Sequence, residues 1–163
     1  MRRTGIYANL TGDEQAREDA FRSMNYATYF SDSEGKIACC GVDYHNPYWF
    51  SDGYADYLRH LNWIMGALPD LAPIGEDHIL RSTSVVQKVT YQPHHLAYSA
   101  FDDSGTEVLR LSYKPKQIMA GKSKLELTTN DRQAGYTIQP ASGGDYILKI
   151  RREGTREVTV EDI

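Results

Sequence analysis

The sequence predicts an α+β chain, with an N-terminal helical hairpin followed by an antiparallel β-sandwich. Apolar residues recur at helical spacing as far as Leu68. From Ile79 onward the chain changes to short β-branched and aromatic runs separated by glycine-rich turns. Pro69 and Pro73 stand at the change, which gives two segments: a helical hairpin carrying an aromatic and acidic loop (1–75), and a sandwich (76–163).

In order, Ile6 to Leu10 is too short to predict an element of its own and reads as the tail of one. Thr11-Gly12-Asp13-Glu14 has the form of a capping box, with Thr11 as the helix cap. Behind it Ala16, Ala20, Met24 and Ala27, with Phe21 beside them, predict a helix from about residue 12 to about 30. Its alanine stripe suits close packing on a neighbouring helix. Asp13, Glu14, Glu18 and Asp19 fall early, where the helix dipole favours them. Ser31-Asp32-Ser33-Glu34-Gly35 ends it. Ser51 or Asp52 can cap a second helix, whose apolar stripe is Tyr54, Tyr57, Leu58, Leu61, Ile64, Met65 and Leu68. Asp52, Asp56, Arg59 and Trp63 fall together on another face of it.

The strand runs are 85–91, 96–101, 107–113, 117–120, 124–127, 136–139, 146–150 and 157–160. Asp102-Asp103-Ser104-Gly105 reads as a hairpin turn between the second and third, and Gly121-Lys122 as another tight turn. Seven or eight strands at this spacing predict a sandwich.

Composition excludes several classes of function. Charged residues are 25 % and apolar residues 40 % of the 163, a globular balance. The formal charge of −4 sits in the first 75 residues, which leaves no basic stripe for a nucleic-acid backbone. Cys39 and Cys40 are adjacent and fit neither a disulfide framework nor a zinc spacing. No apolar run reaches membrane-spanning length, and the basic start has no apolar segment behind it, so the chain as given is expected to be soluble and cytoplasmic.

Chemistry concentrates between Cys39 and His60. Tyr44, Tyr48, Trp49, Phe50, Tyr54 and Tyr57 are interleaved there with Asp43, His45, Asn46, Asp52, Asp56, Arg59 and His60. Flat aromatic faces among carboxylates, imidazoles and an amide suit a polar ring such as a sugar; the same mixture also describes a wet packing seam. Asp52 and Asp56 are four apart on one helix, side by side, the wrong arrangement for an acid and a base across a glycosidic bond. Helix N-terminal charge, with Asp56 near Arg59, is the plainer reading of both. Asp43 with Asp52 is the better pair, because a loop can cross a cleft. His45 beside Asp43 can serve as a base, or as an ordinary loop histidine. His60 is expected to be partly buried, His94 and His95 exposed beside Pro93. Trp63 reads as packing and Trp49 as the likelier ligand platform. Ser51, Ser82 and Ser84 lack a nucleophile elbow. Asp43, Asn46 and Asp52, or Asp102 and Asp103, offer oxygen ligands that could hold calcium, without an EF-hand pattern.

Residues 20–30 (Ala20 to Phe30) and 48–57 (Tyr48 to Tyr57) resemble late helices of the (α/α)6 toroid that forms the catalytic domain of many glycoside hydrolases. Gly135-Tyr136-Thr137-Ile138 and Gly143-Gly144-Asp145-Tyr146-Ile147 are similar to the sandwich that follows such toroids in bacterial glycosidase-like proteins. The resemblance implies the C-terminal part of a glycoside-hydrolase-like protein, hence a hydrolase if active. A sugar or polyol would then bind near residues 43–57. Asp43, His45 and Asp52 are the catalytic candidates; Tyr44, Asn46, Tyr48, Trp49, Tyr54, Asp56 and Arg59 are the binding candidates. A toroid needs about a dozen helices and this chain predicts two, so a homo-oligomer or a missing helical partner is expected. Two other functions remain open: a hydrolase of a small ester or lactone, such as an acyl-homoserine lactone, assisted by a metal or His45, and a non-catalytic interaction module.

Overall fold

The computed structural model describes residues 2–28, 51–130 and 132–162, with side chains outside the description at 2, 26–28 and 51–58. The chain forms two compact units, Met1–Leu71 and Ala72–Ile163. The class is α+β, with helices preceding two antiparallel sheets.

Among the described residues the first unit holds three helices: α1 (Arg2–Thr11), α2 (Glu14–Thr28) and α3 (Ser51–Ala67). A 3-10 turn at Pro69–Leu71 follows. Residues 6–10, read as the tail of an element, are the C-terminal half of helix α1, which starts at Arg2. Gly5 of α1 lies against Ile64 of α3, where a Cβ would sit in ordinary contact with the Ile64 side chain at 3.6 Å. Ala8, Ala16, Ala20 and Leu68 are buried together, with Leu71 packed on them, so the alanine stripe of α2 does make a close helix–helix seam. The cap also differs from expectation. Asp13 accepts from the Ala16 amide at 3.0 Å, whereas the Thr11 hydroxyl donates back to the Tyr7 carbonyl at 2.8 Å. Thr11 closes α1 and Asp13 opens α2; Gly12, at φ +71°, supplies the left-handed residue between them. The Arg17 guanidinium pairs with both carboxylate oxygens of Asp70, tying α2 to the 3-10 turn.

The second unit is the sandwich. One sheet has strand order β1 (His78–Ser82), β4 (Gly105–Leu111), β8 (Tyr146–Arg152), β7 (Gly135–Pro140). The other runs β2 (Val86–Gln92), β3 (His95–Ala100), β9 (Glu157–Glu161), β5 (Gln117–Ala120), β6 (Ser123–Lys124). Strand β1 is an addition to the expected runs. Its pairing with β4 carries a register shift between Ile79 and Arg81, which breaks the alternation by which a strand is recognised.

Asp102 to Gly105 is not a hairpin turn: β3 and β4 lie in different sheets, so the four residues carry the chain across the sandwich. Arg152 holds the crossing by donating through Nη1 to the Asp102 and Thr155 carbonyls. The hairpin expected at Gly121-Lys122 does form, between β5 and β6.

The core lies between the sheets. Leu96, Leu109, Leu111, Ile118, Leu148, Ile150, Val158 and Val160 are almost wholly buried in it, each contributing about 1.5–3 kcal/mol of apolar burial. Between β7 and β8 the chain turns through Gly143 at φ +76°. A Cβ there would fall 2.1 Å from the Ile74 side chain, so both conformation and space require glycine.

Candidate functional site

Of the predicted site residues, Asp43, Tyr44, His45, Asn46, Tyr48 and Trp49 lie outside the described residues. Asp52, Tyr54 and Asp56 lie on α3, the second helix expected from the sequence, but their side chains are outside the description, as is the residue before Ser51, so the expected cap at Ser51 or Asp52 lies outside the described residues. Arg59 is described, and it is exposed.

Arg59 belongs to a small cluster set by helical spacing. Its guanidinium carbon lies 5.0 Å from the centre of the Trp63 ring, four residues on. His60 meets the same indole edge-on, with ring centres 5.6 Å apart and planes at 79°. A guanidinium over an indole is an attractive cation–π contact, of about 0.5–1 kcal/mol at an exposed site. Trp63 and His60 are half-buried, as expected for His60. The spacing that places Arg59 and Trp63 on one face was legible in the sequence. The use of Trp63 as a platform was not, because a tryptophan on an amphipathic helix looks like packing.

A second polar constellation sits inside the sandwich. Glu107 is wholly buried on the core side of β4. Its Oε2 accepts from the Tyr98 hydroxyl at 2.9 Å. Its Oε1 accepts from the Ser82 hydroxyl at 3.0 Å and from Arg152 Nη2 at 3.2 Å. Arg152 is as deeply buried, and its Nε–H has no acceptor among the described residues. Burial raises the Tyr98 phenol above its ordinary value of 10.0, and the Glu107 charge raises it further. Tyr98 comes from one sheet, Glu107 and Arg152 from the other, so the group rivets the two together. Gly105 makes room for it: a Cβ there would stand 2.7 Å from Arg152 Nη2.

On the opposite face of β4, buried Arg110 donates from Nε to Asp145 at 2.7 Å and from Nη1 to the Ala72 carbonyl at 2.7 Å. Its Nη2 reaches the Ser142 carbonyl at 2.8 Å. Asp145 also accepts from the Gly75 amide at 3.0 Å. This arginine therefore fastens both residues 72–75 and the β7–β8 turn to the sheet. Both networks escape sequence reading, since charged residues in an amphipathic strand are assigned to its wet face. The one available signal was position: Glu107 alternates with Leu109 and Leu111.

The histidine pair beside Pro93 divides. His94 is exposed, with Nδ1 3.5 Å from Asp162; His95 is half-buried, with Nδ1 3.1 Å from Glu161. Strand pairing explains this correction, because His95 is the first residue of β3 and lies directly across from Glu161. A hydrogen bond from Lys116, 3.0 Å away, holds the Asp162 carboxyl below its ordinary value of 3.8.

Asp102 accepts from the Ser84 hydroxyl at 2.8 Å and Asp103 pairs with Arg156 at 2.6 Å, so the two point to different partners. Among the described residues no group of three or more His, Cys, Asp or Glu side chains is placed to hold a metal, and no helix is long and apolar enough to cross a membrane. No protein-family model, curated protein or solved structure matches the chain.

Proposed function

We propose that the protein is a carbohydrate-active, glycoside-hydrolase-like chain that binds a sugar or polyol along residues 43–57. The observation that supports this reading is the Arg59–Trp63–His60 cluster, which continues the chemistry of that stretch along the same helix. An indole face suits the C–H side of a sugar ring, while guanidinium and imidazole can hydrogen-bond hydroxyls. Asp43 and Asp52 are then the carboxyl pair, with His45 beside Asp43 as a further proton-transfer group. Tyr44, Asn46, Tyr48, Trp49, Tyr54, Asp56 and Arg59 are the binding residues. Calcium, if it takes part, is held by Asp43, Asn46 and Asp52, whose oxygens suit a hard cation.

Tryptophan fluorescence titrated with a panel of mono- and disaccharides, with and without calcium, tests binding; nitrophenyl glycosides test turnover. A saturable change is expected, weakened about tenfold by Trp49→Ala, as is hydrolysis that Asp43→Asn abolishes. The reading fails if no sugar gives a saturable change and no glycoside is cleaved.

A second reading, a non-catalytic module whose helices complete a partner, is favoured by α1. Ile6, Tyr7 and Leu10 on that helix are 39 %, 53 % and 79 % exposed. Light scattering on the purified chain separates the two. A defined assembly without sugar binding supports the module, whereas a monomer removes self-association.

A further inference from the structure

The sandwich has an open side at β1 and β2. Among the described residues β2 is hydrogen-bonded to β3 alone, so its other edge presents seven residues of main chain to an incoming strand. Val89 and Tyr91 stand directly opposite Tyr98 and Leu96, both core residues, and cross-strand partners share a face. They therefore point between the sheets, yet they remain 38 % and 46 % exposed. Strand β2 thus overhangs the core and leaves an apolar ledge beside its free edge. The Tyr91 hydroxyl, accepting from the Ile79 amide at 3.4 Å, marks where β1 bounds that ledge.

One lip of this opening is cationic. Lys88 projects from the outer face of β2, is exposed, and forms no ion pair among the described residues. Arg81 of β1 stands opposite Val108, on the face turned away from the opening, and takes no part. Of the carboxylates at the strand ends, Glu76 meets His78 and Asp103 pairs with Arg156, while Asp102 accepts from Ser84.

We propose that the free edge of β2 takes an extended acidic peptide by strand addition. Main-chain hydrogen bonds to β2 would supply affinity. Alternate apolar side chains would lie on the Val89–Tyr91 ledge, and the intervening carboxylates would share the outer face of the sheet with Lys88. A second copy of this chain fits less well. Antiparallel pairing of two β2 edges would bring two Lys88 ammoniums close together, and the register shift between Val86 and Lys88 interrupts a regular ladder. This surface is independent of the sugar reading.

The test uses the full, isotopically labelled chain and two capped peptides, alternating valine with glutamate or valine with lysine. The glutamate peptide should give saturable amide shifts across 86–92, and the lysine peptide should bind about tenfold more weakly. Lys88→Glu should reverse that preference without moving the melting temperature. The proposal is overturned if neither peptide shifts those amides, or if both shift them equally. It is also overturned if protein concentration alone shifts them, which would identify a second copy as the occupant.

Discussion

Replacing Glu107 by glutamine examines the inter-sheet rivet most directly. The substitution keeps the volume and both polar positions but removes the charge. Arg152 is then left as an uncompensated cation with no exposed surface. Breaking a buried pair from one side costs about 3–5 kcal/mol, because the remaining charge stays desolvated. Tyr98→Phe removes only one hydrogen bond to a charged acceptor and should cost about 1.5–3 kcal/mol. Urea unfolding followed through the sandwich should show a lower midpoint for Glu107→Gln at an unchanged slope. For a unit the size of Ala72–Ile163, a loss of 3–5 kcal/mol should lower the melting temperature by roughly 15 °C or more. The double variant Glu107→Leu with Arg152→Met removes both charges together and disposes of the Nε–H that lacks an acceptor among the described residues. It should be more stable than Glu107→Gln, since well-packed apolar replacement of a buried pair is often neutral or favourable. A loss below about 1 kcal/mol in Glu107→Gln would refute the reasoning. So would a double variant whose loss is the sum of the two single ones.

The remaining predictions concern the other buried groups. Arg110→Met should cost about 3–5 kcal/mol, and hydrogen exchange should quicken at the Gly75 amide, whose acceptor Asp145 loses its counter-ion. At alkaline pH the buried phenols should oppose folding. Tyr98 and Tyr113 are both raised above 10.0 by burial, so their stabilising contribution is complete below that pH and declines as pH rises past it. Equilibrium unfolding between about pH 9 and 11 should show that decline, and Tyr98→Phe should flatten it. At the acid end Asp162, held below 3.8, favours folding above that value and loses its contribution as pH falls through the lowered one. Asp162→Asn should remove that part of the acid dependence.

The sequence by itself determined the class of the fold, the helix α3 through its Leu58–Leu68 stripe, and most of the strands, because these depend on local periodicity and turn chemistry. It also marked the 39–60 stretch, and helical spacing alone put Arg59 and Trp63 on one face. What it could not determine were pairings between distant segments. Helix α1 stays hidden because Ala8 is buried only where it meets Ala16, Ala20 and Leu68 from later in the chain, and β1 because a register shift breaks its pattern. The four residues from Asp102 to Gly105 have hairpin chemistry, yet the sheets claim β3 and β4 separately. That choice rests on long-range ladders and on the Arg152 contacts across the sandwich. Glu107 and Arg110 are two more cases of the same kind. A charged side chain can enter a core only when its partners arrive from elsewhere in the chain, and only the tertiary structure decides whether they do.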